Sequence, residues 1–97
     1  MLVTRDEIPD PGNLRIGCSI DGERLQDSST SQMVFSVPRL VAELTAVMTL
    51  EPGDIVATGT PAGVGTSRQP RRWIRPGERV RVEIERIGAL ENPAVAG

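Results

Sequence analysis

The sequence predicts a β-rich α+β domain with one helix at about residues 37–49, and three observations carry that prediction. Leu14, Ile16, Cys18 and Ile20 alternate with Arg15, Gly17 and Ser19, the period-two pattern of a strand with one buried face. Val80, Val82 and Ile84 alternate with Arg81 and Glu83 in the same way. Val37, Leu40, Val41, Leu44, Val47 and Met48 instead recur at helical offsets and draw a single apolar stripe.

In chain order, Met1 to Asn13 reads as an irregular opening segment, because Pro9, Pro11, Gly12 and Asn13 favour turns over ladders and helices. The first strand follows from Leu14. Asp21-Gly22 suits a two-residue hairpin turn, since both residue types accept positive φ, and Glu23 to Gln26 is the expected short returning strand. Asp27 to Ser31 reads as a polar loop. Ser36 is a candidate N-cap for the helix, with Pro38 tolerated in a first turn whose amides have no intrahelical acceptor. Pro52-Gly53 and Pro76-Gly77 are turn signals. A short strand at Ile55, Val56 and Ala57 is expected to break at Gly59, the Val80 strand follows the second turn, and a last short segment surrounds Ala89 and Leu90.

A chain of 97 residues supports at most one small domain. Phe35 and Trp73 are its only aromatic residues, so the rings that usually dominate a core are nearly missing. The expectation is a folded unit larger than this chain, in which an upstream half or a second subunit covers the apolar strand faces. A formal net charge of -2, with arginines interspersed among carboxylates, gives no basic field for nucleic acid. All 11 basic residues are arginines, so no lysine is present for a Schiff base or proton transfer. A single cysteine allows no intrachain disulfide, and the first twenty residues hold no continuous apolar run; the expected location is cytoplasmic, without signal peptide or membrane span.

The segment Gly59 to Gly65 is the most informative for chemistry. Gly59, Gly63 and Gly65 leave backbone amides uncovered, Pro61 stiffens the turn and Thr60 adds a hydroxyl donor, a combination able to hold a small anion. A purely structural, glycine-rich connection between strands fits the same residues. The Lys-Ser/Thr ending of a phosphate loop is absent. Glu83 and Glu85 share a strand face, but Arg79 and Arg81 continue it, which reads as a solvated ionic surface more than a metal site. Asp6, Glu7 and Asp10 sit among turn-forming prolines. Cys18 falls on an apolar face and no histidine exists to activate it or any serine. Arg71-Arg72-Trp73, beside Glu78, reads as a surface tryptophan against arginine stems or an interface anchor, not as a polyanion site.

The order of motifs adds a family resemblance. Met33-Val34-Phe35-Ser36-Val37-Pro38, Met48-Thr49-Leu50-Glu51-Pro52-Gly53-Asp54 and Thr58-Gly59-Thr60-Pro61-Ala62-Gly63-Val64-Gly65 resemble the C-terminal half of the fumarylacetoacetate hydrolase family. So do the opening Val3 to Pro11 and the closing Val82 to Pro93, in the same order. The resemblance implies a mixed β-roll around an active site, of which residues 1–97 would be the C-terminal portion. It implies an enzyme that hydrolyses carbon-carbon bonds in diketo acids, or isomerises, hydrates or decarboxylates related oxo acids. A magnesium or other divalent ion would be held by carboxylates, and the partners would be a small oxo acid and either a second copy in a homodimer or a missing N-terminal half. Thr60 matches the family threonine that contacts the substrate carboxylate, with Gly59, Pro61 and Gly63 shaping its loop.

The family's Glu-x-Glu metal pair, further aspartates, lysine and histidine belong to segments that would precede Met1. Glu83-Ile84-Glu85 aligns instead with a late strand, and Ser29 and Gln32 stand where members often carry Asn and Asp. No catalytic residue and no metal ligand is therefore assigned within the chain. The alternative is a noncatalytic remnant serving as a binding or assembly module.

Overall fold

Asp21 and Gly22 take φ of 49° and 82°, the paired positive values of a two-residue I′ turn, and join β1 (Arg15–Ile20) to β2 (Glu23–Ser29). The structure is a computed structural model that describes residues 2–97, so Met1 of the expected opening segment lies outside the described residues. Ser36 caps α1 (Val37–Thr45), its hydroxyl accepting from the Arg39 amide at 3.4 Å, with Pro38 in the first turn. At the Pro52-Gly53 and Pro76-Gly77 turns, glycine φ values of 95° and 90° and closing hydrogen bonds of 3.0 and 3.1 Å match expectation. The second turn opens β3 (Arg79–Ile84), which a turn at Arg86 connects to β4 (Gly88–Pro93).

The four strands form one sheet in the order β2-β1-β3-β4, every neighbouring pair antiparallel. No mixed sheet forms among the described residues. One face carries Ile16, Cys18, Val82, Ile84 and Leu90; the other carries Gly17, Ser19, Arg81, Glu83 and Glu91, as the registers Cys18↔Val82↔Leu90 and Ser19↔Arg81↔Glu91 require. The buried hydrophobic residues are Leu14, Ile20 and Leu25 alone among those described.

Three local expectations need correction. The returning strand extends to Ser29, so Asp27 to Ser29 are not loop, because their amides and carbonyls ladder against Arg15 to Gly17. The helix ends at Thr45, not near residue 49; the Ala46, Val47 and Met48 amides close on Ala42 and Leu44 carbonyls, and the β-branched Thr45, Val47 and Thr49 resist further winding. Ile55 to Ala57 form no strand, since no neighbouring chain segment offers them a ladder, and Ile55 is 94% exposed. The helical stripe is present and only partly covered: Val37, Leu40 and Leu44 are half-buried, Val41, Val47 and Met48 are exposed, and extensive contacts between elements are confined to the strands.

Candidate functional site

The register between β1 and β2 breaks once. Cys18 faces Gln26 while Ser19 faces Arg24, so Leu25 is an extra residue in β2, a β-bulge. Without it Arg24 and Gln26, two apart, would share a face. The bulge divides them: Arg24 goes to the charged face beside Ser19, and Gln26 to the apolar face beside Cys18. Leu25 itself turns inward and is among the most buried side chains.

That re-aimed glutamine meets the glycine-rich segment. Gln26 Nε2 donates to Thr60 Oγ1 at 2.9 Å and to the Pro61 carbonyl at 2.8 Å. From the far end of the loop, Arg68 Nε donates to the Gly63 carbonyl at 3.1 Å while its Nη2 donates to the Leu25 carbonyl. Two side chains thus staple the loop to the bulged edge strand. Gly59 and Gly63 hold φ of 96° and 105°, left-handed values that a side chain disfavours. At Gly63 a Cβ would also collide with the Leu25 carbonyl, so the loop seats there only because the residue is glycine.

Gly59, Thr60 and Pro61 form one wall of a groove of ≈ 290 Å³ whose floor is the apolar sheet face at Ile16, Cys18, Val82 and Leu90. Of the loop residues that line the groove, Gly59 and Thr60 have amides that donate to no acceptor among the described residues. The site is therefore donor-rich over an apolar floor, which suits a carboxylate attached to a carbon chain. The sequence-assigned residues Thr60, Gly59 and Pro61 come together on this wall, and Gly63 anchors it from behind. Gln26 and Arg68 were not legible as site residues; their only signal is the bulge, which periodicity does not reveal.

The same polarity argues against a metal here. Backbone amide donors repel a cation, and no cluster of three metal-ligating side chains exists among the described residues. Glu83 is occupied: Arg24 contacts it at 2.6 Å and Arg81 at 3.5 Å, and the hydrogen bond from Arg24 holds its carboxyl below the usual glutamate range. Glu85 accepts from the Arg15 amide at 3.1 Å. These two carboxylates belong to an ionic surface of ≈ 670 Å³ on the opposite sheet face, lined also by Arg15 and Arg86. Asp10 closes a turn by accepting from the Gly12 amide at 3.0 Å. Arg72 is engaged by Glu78 at 2.7 and 3.1 Å, and Trp73 is exposed, with no cation over its ring among the described residues. Ser29 accepts from the Ser31 amide at 3.2 Å, a local turn at the end of β2. No described helix is long and apolar enough to cross a membrane.

Comparison with known proteins gives the family. Residues 1–95 match the family model described as Fumarylacetoacetate (FAA) hydrolase C-terminal. Oxaloacetate tautomerase fahd2, mitochondrial, of Xenopus laevis is 48% identical over 94 residues, covering 97% of this chain and 30% of that protein. Fumarylacetoacetate hydrolase from psychrophilic Exiguobacterium antarcticum superposes with a TM-score of 0.90 at 40% identity, over 98% of this chain and 34% of the other. Maleylpyruvate hydrolase from Sphingobium, crystallised with manganese (II) ion and pyruvate, gives 0.85 at 35% identity, over 99% and 34%. The chain spans about a third of the length of these relatives.

Proposed function

We propose that this chain, which belongs to the fumarylacetoacetate hydrolase family, supplies the carboxylate-binding wall of an enzyme acting on a diketo or oxo acid. Thr60 binds the carboxylate and Gly59, Pro61 and Gly63 shape the loop that presents it. The single observation that carries this reading is the donor-rich wall at Thr60 standing over an apolar floor. The names of the relatives, a tautomerase and two hydrolases of oxo acids, agree with it.

What these residues do chemically is bind and orient. A carboxylate fixed by the Thr60 hydroxyl and neighbouring amides holds the oxo-acid carbon chain along the sheet face, which removes rotational freedom before any bond reacts. In this reading proton transfer and bond cleavage fall to groups outside this chain, which has no histidine or lysine. A divalent ion, which would polarise the oxo group, would take its ligands from residues other than these. In the complete enzyme the four strands would form part of a larger mixed β-roll, completed by an N-terminal half or by a second copy in a homodimer. A cytoplasmic location is part of the same reading.

The test is titration of the full chain with pyruvate, followed through backbone amide resonances. Saturable shifts at Gly59, Thr60 and Gly63 are expected, with a Kd of roughly millimolar strength, about -4 kcal/mol. A hydrogen bond to a charged acceptor is worth about 1.5–3 kcal/mol, so Thr60→Val should weaken binding at least tenfold. Equal binding by wild type and variant would refute the carboxylate role.

A further inference from the structure

We infer that Gln26 is a positioning residue that sets the direction of the Thr60 hydroxyl, turning it into a dedicated donor toward an anionic ligand. The inference rests on the carboxylate reading of the Thr60 wall. It starts from the Pro61 carbonyl, which can only accept. Gln26 faces it at 2.8 Å, so the amide must present its NH₂ there; with oxygen and nitrogen exchanged, two acceptors would oppose each other. The second NH₂ proton then falls to Thr60 Oγ1 at 2.9 Å.

Thr60 is thereby the acceptor in its contact with Gln26. A hydroxyl has one proton and two lone pairs, so its own proton remains unspent, and no protein atom among the described residues accepts it. A free threonine hydroxyl serves donors and acceptors alike. This one, with a lone pair engaged, is biased to donate, and the incoming hydrogen bond polarises the O–H further. The groove therefore selects ligand groups that only accept, such as a carboxylate, over alcohols or ammonium groups presented at the same point. The bulge at Leu25 makes this possible, because it moves Gln26 onto the groove face.

The experiment is a double-mutant cycle on the full chain with pyruvate as probe, comparing wild type, Thr60→Val, Gln26→Met and the double variant. Gln26→Asn, which keeps the amide but is too short to span the contact, is run beside Gln26→Met so that one poorly folding variant does not decide the outcome. Unchanged amide resonances at Arg81 and Glu91, on the opposite face of the sheet, report an intact fold. Both Gln26 variants should weaken pyruvate binding roughly fivefold, the equivalent of one net hydrogen bond. In the Thr60→Val background the same substitutions should cost nothing more, because their effect passes through the hydroxyl. Equal losses in both backgrounds would show a merely structural glutamine and overturn the inference. Unaffected binding in the Gln26 variants, with Thr60→Val still weakened, would overturn it while leaving the carboxylate reading standing. If Thr60→Val binds as wild type does, or wild type shows no saturable shift, both fall.

Discussion

Gly59 and Gly63 are alike in backbone conformation and unlike in surroundings. Both lie near φ of 100°, at 96° and 105°, but open space surrounds the missing Cβ of Gly59, whereas that of Gly63 would strike the Leu25 carbonyl. A left-handed alanine costs about 1–2 kcal/mol at either position. Gly63→Ala adds an overpacking cost of about 1–3 kcal/mol, because a carbonyl within a strand cannot swing aside as a long side chain can. The expected outcome in chemical denaturation is a clearly larger loss of stability for Gly63→Ala than for Gly59→Ala. Equal losses would mean that the loop is not seated on β2 in solution. The loop glycines were legible in the sequence as a group, but which of them meets a neighbouring backbone was not, since nothing local places Leu25 there.

Among the elements, the sheet is crossed by a side chain that depends on an absent one. Arg24 of β2 reaches over Gly17 of β1 to Glu83 of β3, where a Cβ on Gly17 would meet its guanidinium, and Asp27 flanks it at 3.5 Å. One arginine so ties together three strands. A second pair, Arg72 with Glu78, fastens the long loop to the start of β3. The arginine hydrogen bonds hold both glutamate carboxyls below the ordinary value of 4.5. A carboxyl with a lowered folded-state pKa contributes stability that is present above its unfolded value and is lost as pH falls through the folded one. Thermal stability is therefore expected to decline as pH drops below 4.5, and Glu83→Gln should flatten that decline while lowering stability at neutral pH. A melting temperature independent of pH in that range would count against both pairs. The separations of 2.6 and 2.7 Å carry only modest weight at partly exposed positions, so the effect should be graded rather than abrupt.

At the scale of the whole molecule, surface dominates. The accessible area is 7685 Å², against about 5,400 Å² for a compact monomer of this mass. The radius of gyration, 15.6 Å, similarly exceeds the roughly 12.5 Å of a compact chain of this length. Leu2, Val34, Val47, Ile55 and Val95 are each at least 78% exposed. Such surface asks for cover, whether a second copy or a further stretch of polypeptide. The isolated chain is expected to bind the dye ANS and to melt over a broad range, with the transition sharpening as protein concentration rises. A sharp, concentration-independent melt without dye binding would show that the 97 residues are sufficient by themselves.

The features that the sequence determined alone are those written in local φ preference: the Asp21-Gly22 hairpin, the two Pro-Gly turns, the Ser36 cap and the alternation of β1 and β3. Each needs only its own few residues. The ordered family motifs likewise pointed to Thr60 and its loop. Tertiary structure decided whatever depends on a distant partner. Ile55 to Ala57 had strand composition but no ladder to join, and the apolar stripe of α1 is left only half-covered. The bulge at Leu25 arises from how β2 registers on β1, and period-two counting on β2 alone sends Gln26 to the wrong face. That one-residue slip is what brings Gln26 to Thr60.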